Sequence, residues 1–277
     1  MEADRRTLKP MLTLMAVHAH PDDEVISTGG VLAKAAAAGI RTVLVTCTNG
    51  EQGDAPGGVK PGEPGHDPAE VRALRLGELE KSAELLGIEH VELLGYADSG
   101  MEGWEANKAA DSFANVDFDT AVGRLAELME KYRPQVVVTY DENGGYGHPD
   151  HIQAHRIAVA ATERTGIPDK LYYTAVPQSG FQAMFDYLES SGLAEEMGMT
   201  EPLDFGVSDE VITTTVDVAE YADTKVKALQ AHASQTDSIF LLMLPEEAKP
   251  LVFGAESFIR VRGEGPEKED DLFTGLR

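Results

Sequence analysis

The chain has 277 residues, of which 42% are hydrophobic and 26% are charged, as in ordinary globular proteins. Its 48 acidic residues outnumber the 23 basic ones, which gives a formal net charge of −25 at pH 7. Such a surface repels phosphate groups, so we expect no binding to nucleic acids or to anionic membranes. The length allows one large α/β domain or two small ones.

Cysteine usage and hydropathy bear on the compartment. Cys47 is the single cysteine, so no intrachain disulfide can form. Its place in a β-rich run favours a small packed residue over a nucleophile. The first residues lead into no long apolar stretch, and no segment approaches the length of a membrane span. We therefore expect a cytoplasmic protein without membrane association.

Strand-like and helix-like segments alternate along the chain. Short apolar or β-branched runs predict strands at residues 12–17, 41–46, 90–94, 135–140, 171–176 and 211–216. Apolar residues at helical spacing, together with cap residues, predict the later part of a helix at residues 30–39. They also predict whole helices at residues 67–87, 117–131, 150–165 and 219–232. This β-α-β-α order predicts a largely parallel sheet with right-handed crossovers.

The absence of a long linker or internal repeat favours one domain over residues 1–277. We expect an α/β core over about 11–176, a smaller C-terminal α/β extension over 177–262, and a charged, mobile tail over 263–277. Two long glycine-rich loops, 48–66 and 95–116, leave the carboxyl edge of the predicted sheet. Open parallel sheets bind ligands at this edge, so both loops are candidates for function.

Two short motifs combine imidazoles and carboxylates just after predicted strands. The first is HPDDE at residues 20–24, after the first strand, and the second is HPDH at residues 148–151, after the fourth. The two clusters can meet around one metal ion only if their strands lie close together in one sheet. The functional prediction depends on this condition.

His20, Asp23 and His151 are the candidate metal ligands. A catalytic zinc usually has three protein ligands and one open position for water, and a site of this kind lowers the pKa of the water to near 7. His20 and Asp23 are three residues apart in a turn that leads into a helix, so both can point at one ion. Fe(II) is an alternative metal, because it occupies similar His/Asp sites.

The remaining motif residues predict proton transfer. Asp22 lies between two ligands in sequence and is a candidate general base for the attacking water. His148 is expected to stabilise the oxyanion if it is protonated, or to deliver a proton to the leaving amine. Asp150 is expected to hydrogen-bond one of the imidazoles and fix its tautomer.

Simpler roles remain open for several of these residues. In the simpler alternative, Asp22 or Asp23 has no role beyond capping the N-terminus of the helix, which is the usual role of an aspartate after a strand. His155 is a competing ligand, since it lies one helical turn after His151; a position behind the ligands or at the surface is the alternative. His18 is expected to be structural. Solvated or packed roles are expected for His66, His90 and His232.

The two motifs resemble the PIG-L/LmbE-like zinc-dependent N-deacetylase superfamily. The likeness extends through residues 45–51, 75–79 and 140–147 and covers about residues 11–173, with a weak match beyond. Within the superfamily the chain looks most like the mycothiol-pathway branch, which contains an N-acetylglucosaminyl-inositol deacetylase and a mycothiol S-conjugate amidase. The resemblance implies a Rossmann-like fold with helices on both faces of the sheet.

The same resemblance implies roles for individual residues. It assigns zinc to His20, Asp23 and His151, the general base to Asp22, and the acid or oxyanion role to His148. Tyr146 matches a mobile tyrosine that assists at the substrate carbonyl. Residues that match or flank substrate contacts of the family are Arg75, Asp98, Glu51 and Met101. The loop 51–66 departs from the family pattern, so the substrate is the least determined part of the prediction.

The leading functional hypothesis is a metal-dependent amidohydrolase that removes an N-acyl group, expected to be acetyl, from an amino-sugar conjugate. The alternatives are a mycothiol S-conjugate-type amidase and a non-catalytic sugar- or nucleotide-binding module. A nucleotide site is disfavoured because HPDD replaces a GxGxxG turn after the first strand. Trp104 is expected either to stack on a sugar ring or to anchor its loop. The apolar run 239–244 predicts core, with an acyl pocket or a homo-oligomer interface as alternatives.

Overall fold

The computed structural model describes residues 11–196, 201, 206–235 and 240–276. Ile239, the first residue of the apolar run noted above, lies outside these ranges. The described strands form one seven-stranded sheet. The strands are β1 (Thr13–His18), β2 (Arg41–Thr48), β3 (His90–Tyr96), β4 (Val136–Thr139), β5 (Lys170–Ala175), β6 (Thr214–Asp217) and β7 (Ala255–Arg262).

The strand order is β3-β2-β1-β4-β5-β7-β6. Strands β1 to β5 all run parallel to one another, whereas β7 runs antiparallel to both β5 and β6. The predicted mostly parallel α/β fold is therefore confirmed. The chain winds outward in one direction from β1 to β3 and then returns to place β4 on the other side of β1. Open α/β sheets bind ligands in the crevice at such a reversal, at the carboxyl ends of the strands.

Helices connect the strands, and the five predicted helices are among them. They are α1 (Asp23–Ala37), α2 (Pro68–Leu86), α3 (Phe118–Tyr132), α4 (Gly144–Gly147), α5 (Pro149–Thr165), α6 (Gln178–Ser190), α7 (Leu193–Glu196), α8 (Ala222–Ala231) and α9 (Lys249–Phe253). Asp67 caps α2 by accepting a hydrogen bond from the Ala69 N–H at 2.9 Å, and α2 ends at Gly87 in the left-handed conformation. No helix in the described part of the chain is long and apolar enough to cross a membrane.

The two faces of the sheet are both covered, as expected for a parallel sheet. Successive residues of β1 point to opposite faces: Leu14 packs with Leu32 of α1, and Val17 packs with Leu125 of α3 and residues of α5. Cys47 is fully buried on the same face as Val17. This confirms the prediction of helices on both faces, and all six residues of β1 are buried.

The C-terminal third of the chain is joined to the core by polar contacts. Glu256 of β7 accepts hydrogen bonds from the backbone N–H groups of Gly30 and Val31 in α1, both at 2.8 Å. Lys225 of α8 pairs with the same carboxylate at 2.6 Å. The apolar run after residue 239 contributes the buried Leu241 and Leu244, which agrees with a core role for these two residues.

The expectation of a mobile tail after residue 262 is wrong for the part around Glu269. Its side chain is 1% exposed and lies 3.0 Å from the Lys170 ammonium and 2.7 Å from Arg260. Leu272 and Phe273 then pack into the core beside α1 and β1. The sequence shows a run of charges, but the cations that neutralise Glu269 come from β5 and β7, which are distant in sequence.

Candidate metal and active site

The first motif forms the turn between β1 and α1. Asp22 has φ 114°, a conformation that residues other than glycine rarely adopt. Its backbone N–H donates to the carboxylate of Glu24 at 2.9 Å, and the Pro21 carbonyl accepts from Arg75 at 2.5 Å. These contacts hold the turn so that His20, Asp22 and Asp23 all lie at the carboxyl edge of the sheet.

The second motif forms the start of α5, after β4 and the short α4. His148 caps α5 because its Nδ1 accepts from the Asp150 N–H at 3.1 Å, and Pro149 occupies the first helical position. His151 Nδ1 donates to the Gly144 carbonyl at 3.1 Å, so its Nε2 is free to face the site. A Cβ at Gly144 would lie 2.7 Å from the His151 Cβ, which explains a glycine at this position.

The structure brings the three predicted ligands together. His20 Nδ1 lies 3.2 Å from His151 Nε2. The Asp23 carboxylate lies 3.4 Å from both nitrogens, with Oδ2 next to His20 Nδ1 and Oδ1 next to His151 Nε2. The ligand atoms of a tetrahedral zinc, with bonds of about 2.0–2.1 Å, are about 3.3 Å apart. The three side chains are therefore close enough together to bind one ion of that size.

The atoms behind these ligands orient them for a metal. His20 Nε2 lies 3.2 Å from Asp150 Oδ2, and Asp150 is itself held by the Ser99 N–H at 2.9 Å and by the Ser99 hydroxyl. Asp23 Oδ2 accepts from the Tyr140 hydroxyl at 2.7 Å. A carboxylate on the far nitrogen of a histidine fixes the tautomer that leaves the near nitrogen unprotonated. Asp150 thus makes the kind of contact predicted for it.

Two groups of three donors lie within 4.8 Å of one another in the described chain, and neither includes Asp23: His20 with His148 and His151, and His20 with Asp98 and Asp150. We favour the set with Asp23 because its donors meet on the Nδ1 side of His20, next to His151. The carboxylates of Asp98 and Asp150 lie on the Nε2 side of the same ring, and His148 Nδ1 accepts the cap bond of α5.

The electrostatics of the cluster favour a bound cation. Four carboxylates lie at this edge, those of Asp22, Asp23, Asp98 and Asp150, and Arg75 brings one permanent positive charge against them. Burial opposes a charge on His20, yet the neighbouring carboxylates outweigh it and raise its pKa well above the usual range. The site therefore attracts positive charge at the position of the ligand atoms.

Asp22 points into the site beside Arg75. Its carboxylate lies 3.3 Å from the Arg75 Nη2 and accepts no side-chain cap bond from α1. Burial raises the pKa of Asp22 to about 6, although Arg75 opposes the shift. A pKa nearer neutrality suits a group that must take up and give back a proton.

His148 and Tyr146 lie beside the predicted ligands: the His148 ring centroid is 4.5 Å from that of His20 and 5.0 Å from that of His151. Burial and the neighbouring imidazoles lower the pKa of His148 to about 3, which disfavours the protonated form on which its expected oxyanion role was conditional. Because Nδ1 accepts the cap bond, the neutral ring carries its proton on Nε2 and offers a hydrogen-bond donor. Tyr146 is 58% exposed, and its ring centroid lies 5.0 Å from that of His151. It stands at the mouth of the site.

The predicted substrate contacts are differently placed. Arg75 and Asp98 are both 4% exposed. The Arg75 guanidinium donates hydrogen bonds to the carbonyls of Gly50 and Pro21 and forms an ion pair with Asp22. Asp98 Oδ1 lies 3.6 Å from His20 Nε2. Glu51 and Met101 are half-buried on the two long loops. Arg75 is thus built into the wall of the site behind Asp22, a placement that its position in α2 did not reveal.

Several contributing residues were not assigned from the sequence. The Tyr140 ring stacks on that of His151 at 4.2 Å. Glu24 is fully buried and accepts from Ser82 of α2 at 2.5 Å and from His232 after α8 at 2.8 Å. Glu24 belongs to the first motif and Tyr140 ends the fourth predicted strand. Their positions in the sequence could therefore have indicated that both lie near the site. Nothing local marks His232, whose partner is 208 residues away.

The other histidines occupy packed or surface positions. His18 is buried and contacts the Thr28 hydroxyl at 2.8 Å, and His155 Nδ1 donates to the Tyr140 carbonyl at 2.9 Å. His66 Nε2 contacts the Gly53 carbonyl at 2.9 Å, and His90 lies 3.2 Å from Glu89. In the described chain, none of these residues belongs to a group of metal-binding donors.

Comparison with known proteins identifies the family. The family described as "PIG-L: GlcNAc-PI de-N-acetylase" matches residues 15–162, which include both motifs. The chain belongs to the PIG-L family. A PIG-L relative from Acidothermus cellulolyticus, named 1D-myo-inositol 2-acetamido-2-deoxy-alpha-D-glucopyranoside deacetylase, is 42% identical over 95% of either chain. The similarity thus extends through the C-terminal third, beyond the residue 173 at which we expected it to weaken.

Solved structures share the PIG-L fold at lower identity. The N,N'-diacetylchitobiose deacetylase of Pyrococcus horikoshii superimposes with a TM-score of 0.60 at 21% identity, over 92% of this chain and 85% of that one. GalB, the 4-carboxy-2-hydroxymuconate hydratase of Pseudomonas putida KT2440, gives the same TM-score and identity over 92% and 98%. At this identity the likeness shows the fold alone, because a shared fold carries different reactions.

Proposed function

We propose that this chain is a metal-dependent N-deacetylase that hydrolyses the acetamide of an N-acetylglucosaminyl-inositol. The observation that carries the proposal is the pairing of three clustered donor residues with a separate carboxylate, Asp22, and a separate imidazole, His148, at one strand edge. The substrate follows from the relative that is 42% identical over 95% of the chain.

His20, Asp23 and His151 are the residues that would hold the cation, and Zn²⁺ is the proposed metal, with Fe²⁺ as an alternative. When bound, such an ion polarises the amide carbonyl and makes water a better nucleophile. The fit rests on nitrogen and carboxylate donors spaced 3.2–3.4 Å apart, and on second partners that keep the ligand atoms unprotonated.

The chain's own groups then handle the protons. Asp22 accepts a proton from the water that attacks the acetyl carbonyl carbon, and Arg75 holds its carboxylate in place. His148 donates a hydrogen bond through Nε2 to the oxygen that gains negative charge. Tyr146, at the mouth of the site, is placed to close over the same oxygen.

The second half of the reaction breaks the C–N bond. Protonated Asp22 returns its proton to the amide nitrogen, so that the amine of the amino sugar leaves and acetate remains. One water is consumed, and one amine and one acetate are formed. Asp22 serves as both base and acid, which its raised pKa favours.

The test is a substrate panel with the purified, metal-loaded protein. Release of acetate is measured from N-acetylglucosaminyl-inositol and from free N-acetylglucosamine, and amine release is measured from a bimane thioether conjugate of mycothiol. Preferred hydrolysis of N-acetylglucosaminyl-inositol supports the proposal. Preferred cleavage of the thioether conjugate would replace it with the amidase function, and no amide hydrolysis in any arm would overturn it.

A further inference from the structure

A large cleft lies between the two glycine-rich loops that border the site. Its volume is about 660 Å³, and its walls include Gln52 and Pro61 from the first loop and Trp104, Glu105 and Lys108 from the second. Pockets of 300–1,000 Å³ are the size that small-molecule ligands occupy. The catalytic groups described above do not line this cleft, so its occupant is a separate question.

The cleft adjoins the catalytic site through its Gln52 wall. The Gln52 N–H donates to Asp98 Oδ2 at 3.2 Å, and the other oxygen of Asp98 lies 3.6 Å from His20 Nε2. One carboxylate, on the Nε2 side of His20, thus links the cleft wall to a proposed metal ligand. The same carboxylate accepts from the Gly100 N–H at 2.8 Å, so both loops that line the cleft are joined to the metal-binding residues. The cleft is therefore a neighbour of the site that is available to the far end of a two-ring substrate.

Trp104 is held in place along one edge and presents its ring to the cleft. Its backbone N–H donates to the Met101 carbonyl at 3.1 Å. Gly100, at φ +62°, lies so close that a Cβ there would be 2.7 Å from Trp104 Cε3. The side chain is nevertheless 41% exposed. A large aromatic side chain that is both seated and exposed at a cleft is suited to contact a ligand.

The charges in the cleft balance each other. Lys108 pairs with Glu105 at 2.8 Å, and Gln52, Pro61 and Trp104 carry no charge. Because the chain as a whole has a net charge of −25, a phosphorylated ligand would be repelled here without a compensating cation. The cleft therefore suits a neutral, polyhydroxylated ring.

We propose that this cleft binds the part of the substrate beyond the acetamido sugar, an uncharged cyclitol or sugar ring, and that Trp104 stacks against the C–H face of that ring. The partial positive charge of ring C–H groups matches the negative face of an indole. The inference rests on the proposed function and adds a residue that determines specificity for the second ring.

The first test compares two substrates in a Trp104→Ala variant. We expect kcat/KM for N-acetylglucosaminyl-inositol to fall about 10-fold, the loss of one aromatic contact, while kcat/KM for N-acetylglucosamine is unchanged. Trp104→Phe should retain most of the activity on both substrates. Leu251→Ala is the matched control, since Leu251 is 53% exposed on α9 and outside the cleft.

The second test uses wild-type protein, in which Trp104 is the single tryptophan. Titration with the deacetylated product, glucosaminyl-inositol, should change the intrinsic tryptophan emission, whereas glucosamine should not. An equal loss of activity on both substrates in Trp104→Ala, or unchanged emission at a product concentration that inhibits the enzyme, would overturn the subsite alone. A wild-type enzyme inactive on N-acetylglucosaminyl-inositol would instead overturn the proposed function on which the subsite rests.

Discussion

Asp22 combines an uncommon backbone conformation with the proposed role of general base. A residue other than glycine at φ 114° costs about 1–3 kcal/mol, and the surrounding structure must hold it there. Here the Glu24 carboxylate binds its N–H and the Arg75 guanidinium faces its carboxylate. The backbone turn, rather than a flexible side chain, therefore holds the Asp22 carboxylate beside Arg75 at the strand edge.

Replacing Asp22 with Asn should abolish proton transfer while leaving the metal site intact. Asn has the same shape but cannot accept a proton, so we expect kcat to fall by about 10²–10⁴. Metal content should stay at the wild-type value, because Asp22 is not one of the three proposed metal ligands, which are His20, Asp23 and His151. Acetate release and elemental analysis measure the two quantities. Wild-type turnover in Asp22→Asn would refute the assignment of the base.

Replacing Asp150 with Asn should weaken metal binding. The substitution removes the carboxylate that faces His20 Nε2 at 3.2 Å, and loss of such a partner lowers metal affinity by about 10–100-fold. Competition with a chelator measures this affinity. Asp119→Asn is the control, because Asp119 is exposed on α3. Equal affinities in the two variants would mean that Asp150 does not orient His20.

At the scale of elements, the turn before α1 is supported by helices from two other parts of the chain. Ser82 of α2 and His232 after α8 both contact Glu24, and all three side chains are fully buried. The attraction of Glu24 outweighs the burial of His232 and raises the pKa of this histidine. The catalytic turn is thus tied to the C-terminal third of the chain through a buried ion pair.

His232→Asn should destabilise the protein and slow the reaction together. Removing one partner of a buried pair leaves Glu24 uncompensated, which costs about 3–5 kcal/mol in the free energy of unfolding. The loosened turn should also lower kcat. Denaturant unfolding measures the loss of stability. The control is His90→Asn, because the His90 side chain is partly exposed. The double variant Glu24→Gln/His232→Asn should recover part of the loss, and strict additivity would argue against the pair.

The elements and the positions of the two motifs were predictable because their signals are local. Caps, periodicity and strand-end position located Asp67, His20 and His151 at the ends of their elements, and the β-α-β order implied that the two motifs share an edge. The partners of Arg75, Glu24 and Glu269 were not predictable. Each depends on a contact between elements far apart in sequence, which a single chain read by pattern does not specify.

At the scale of the whole molecule, the sheet continues from the parallel core into β7 and β6, and the last residues pack against its centre. A unit built this way should unfold as one. In that case the predicted core, extension and tail are consecutive parts of the chain and not units that unfold separately. We therefore expect residues 11–276 to behave as a single cooperative domain.

Phe273→Ala tests this expectation at the end of the chain. Phe273 is 3% exposed in the core beside β1 and α1, so truncation to alanine should cost about 3–5 kcal/mol. Thermal unfolding should keep one transition at a lower midpoint. Glu267→Ala, at an exposed position of the same segment, should change the midpoint little. A separate early transition, or no shift in Phe273→Ala, would show that the tail is not part of the cooperative unit.

Metal content and deacetylation, measured on the same preparations, test the proposed metal dependence directly. We expect about one bound divalent ion per chain and loss of N-acetylglucosaminyl-inositol hydrolysis when a chelator removes it. Added Zn²⁺ or Fe²⁺ should restore the activity, and His151→Ala should lose both the metal and the activity. Full hydrolysis by metal-free protein, or by a His151→Ala variant without bound metal, would contradict the account.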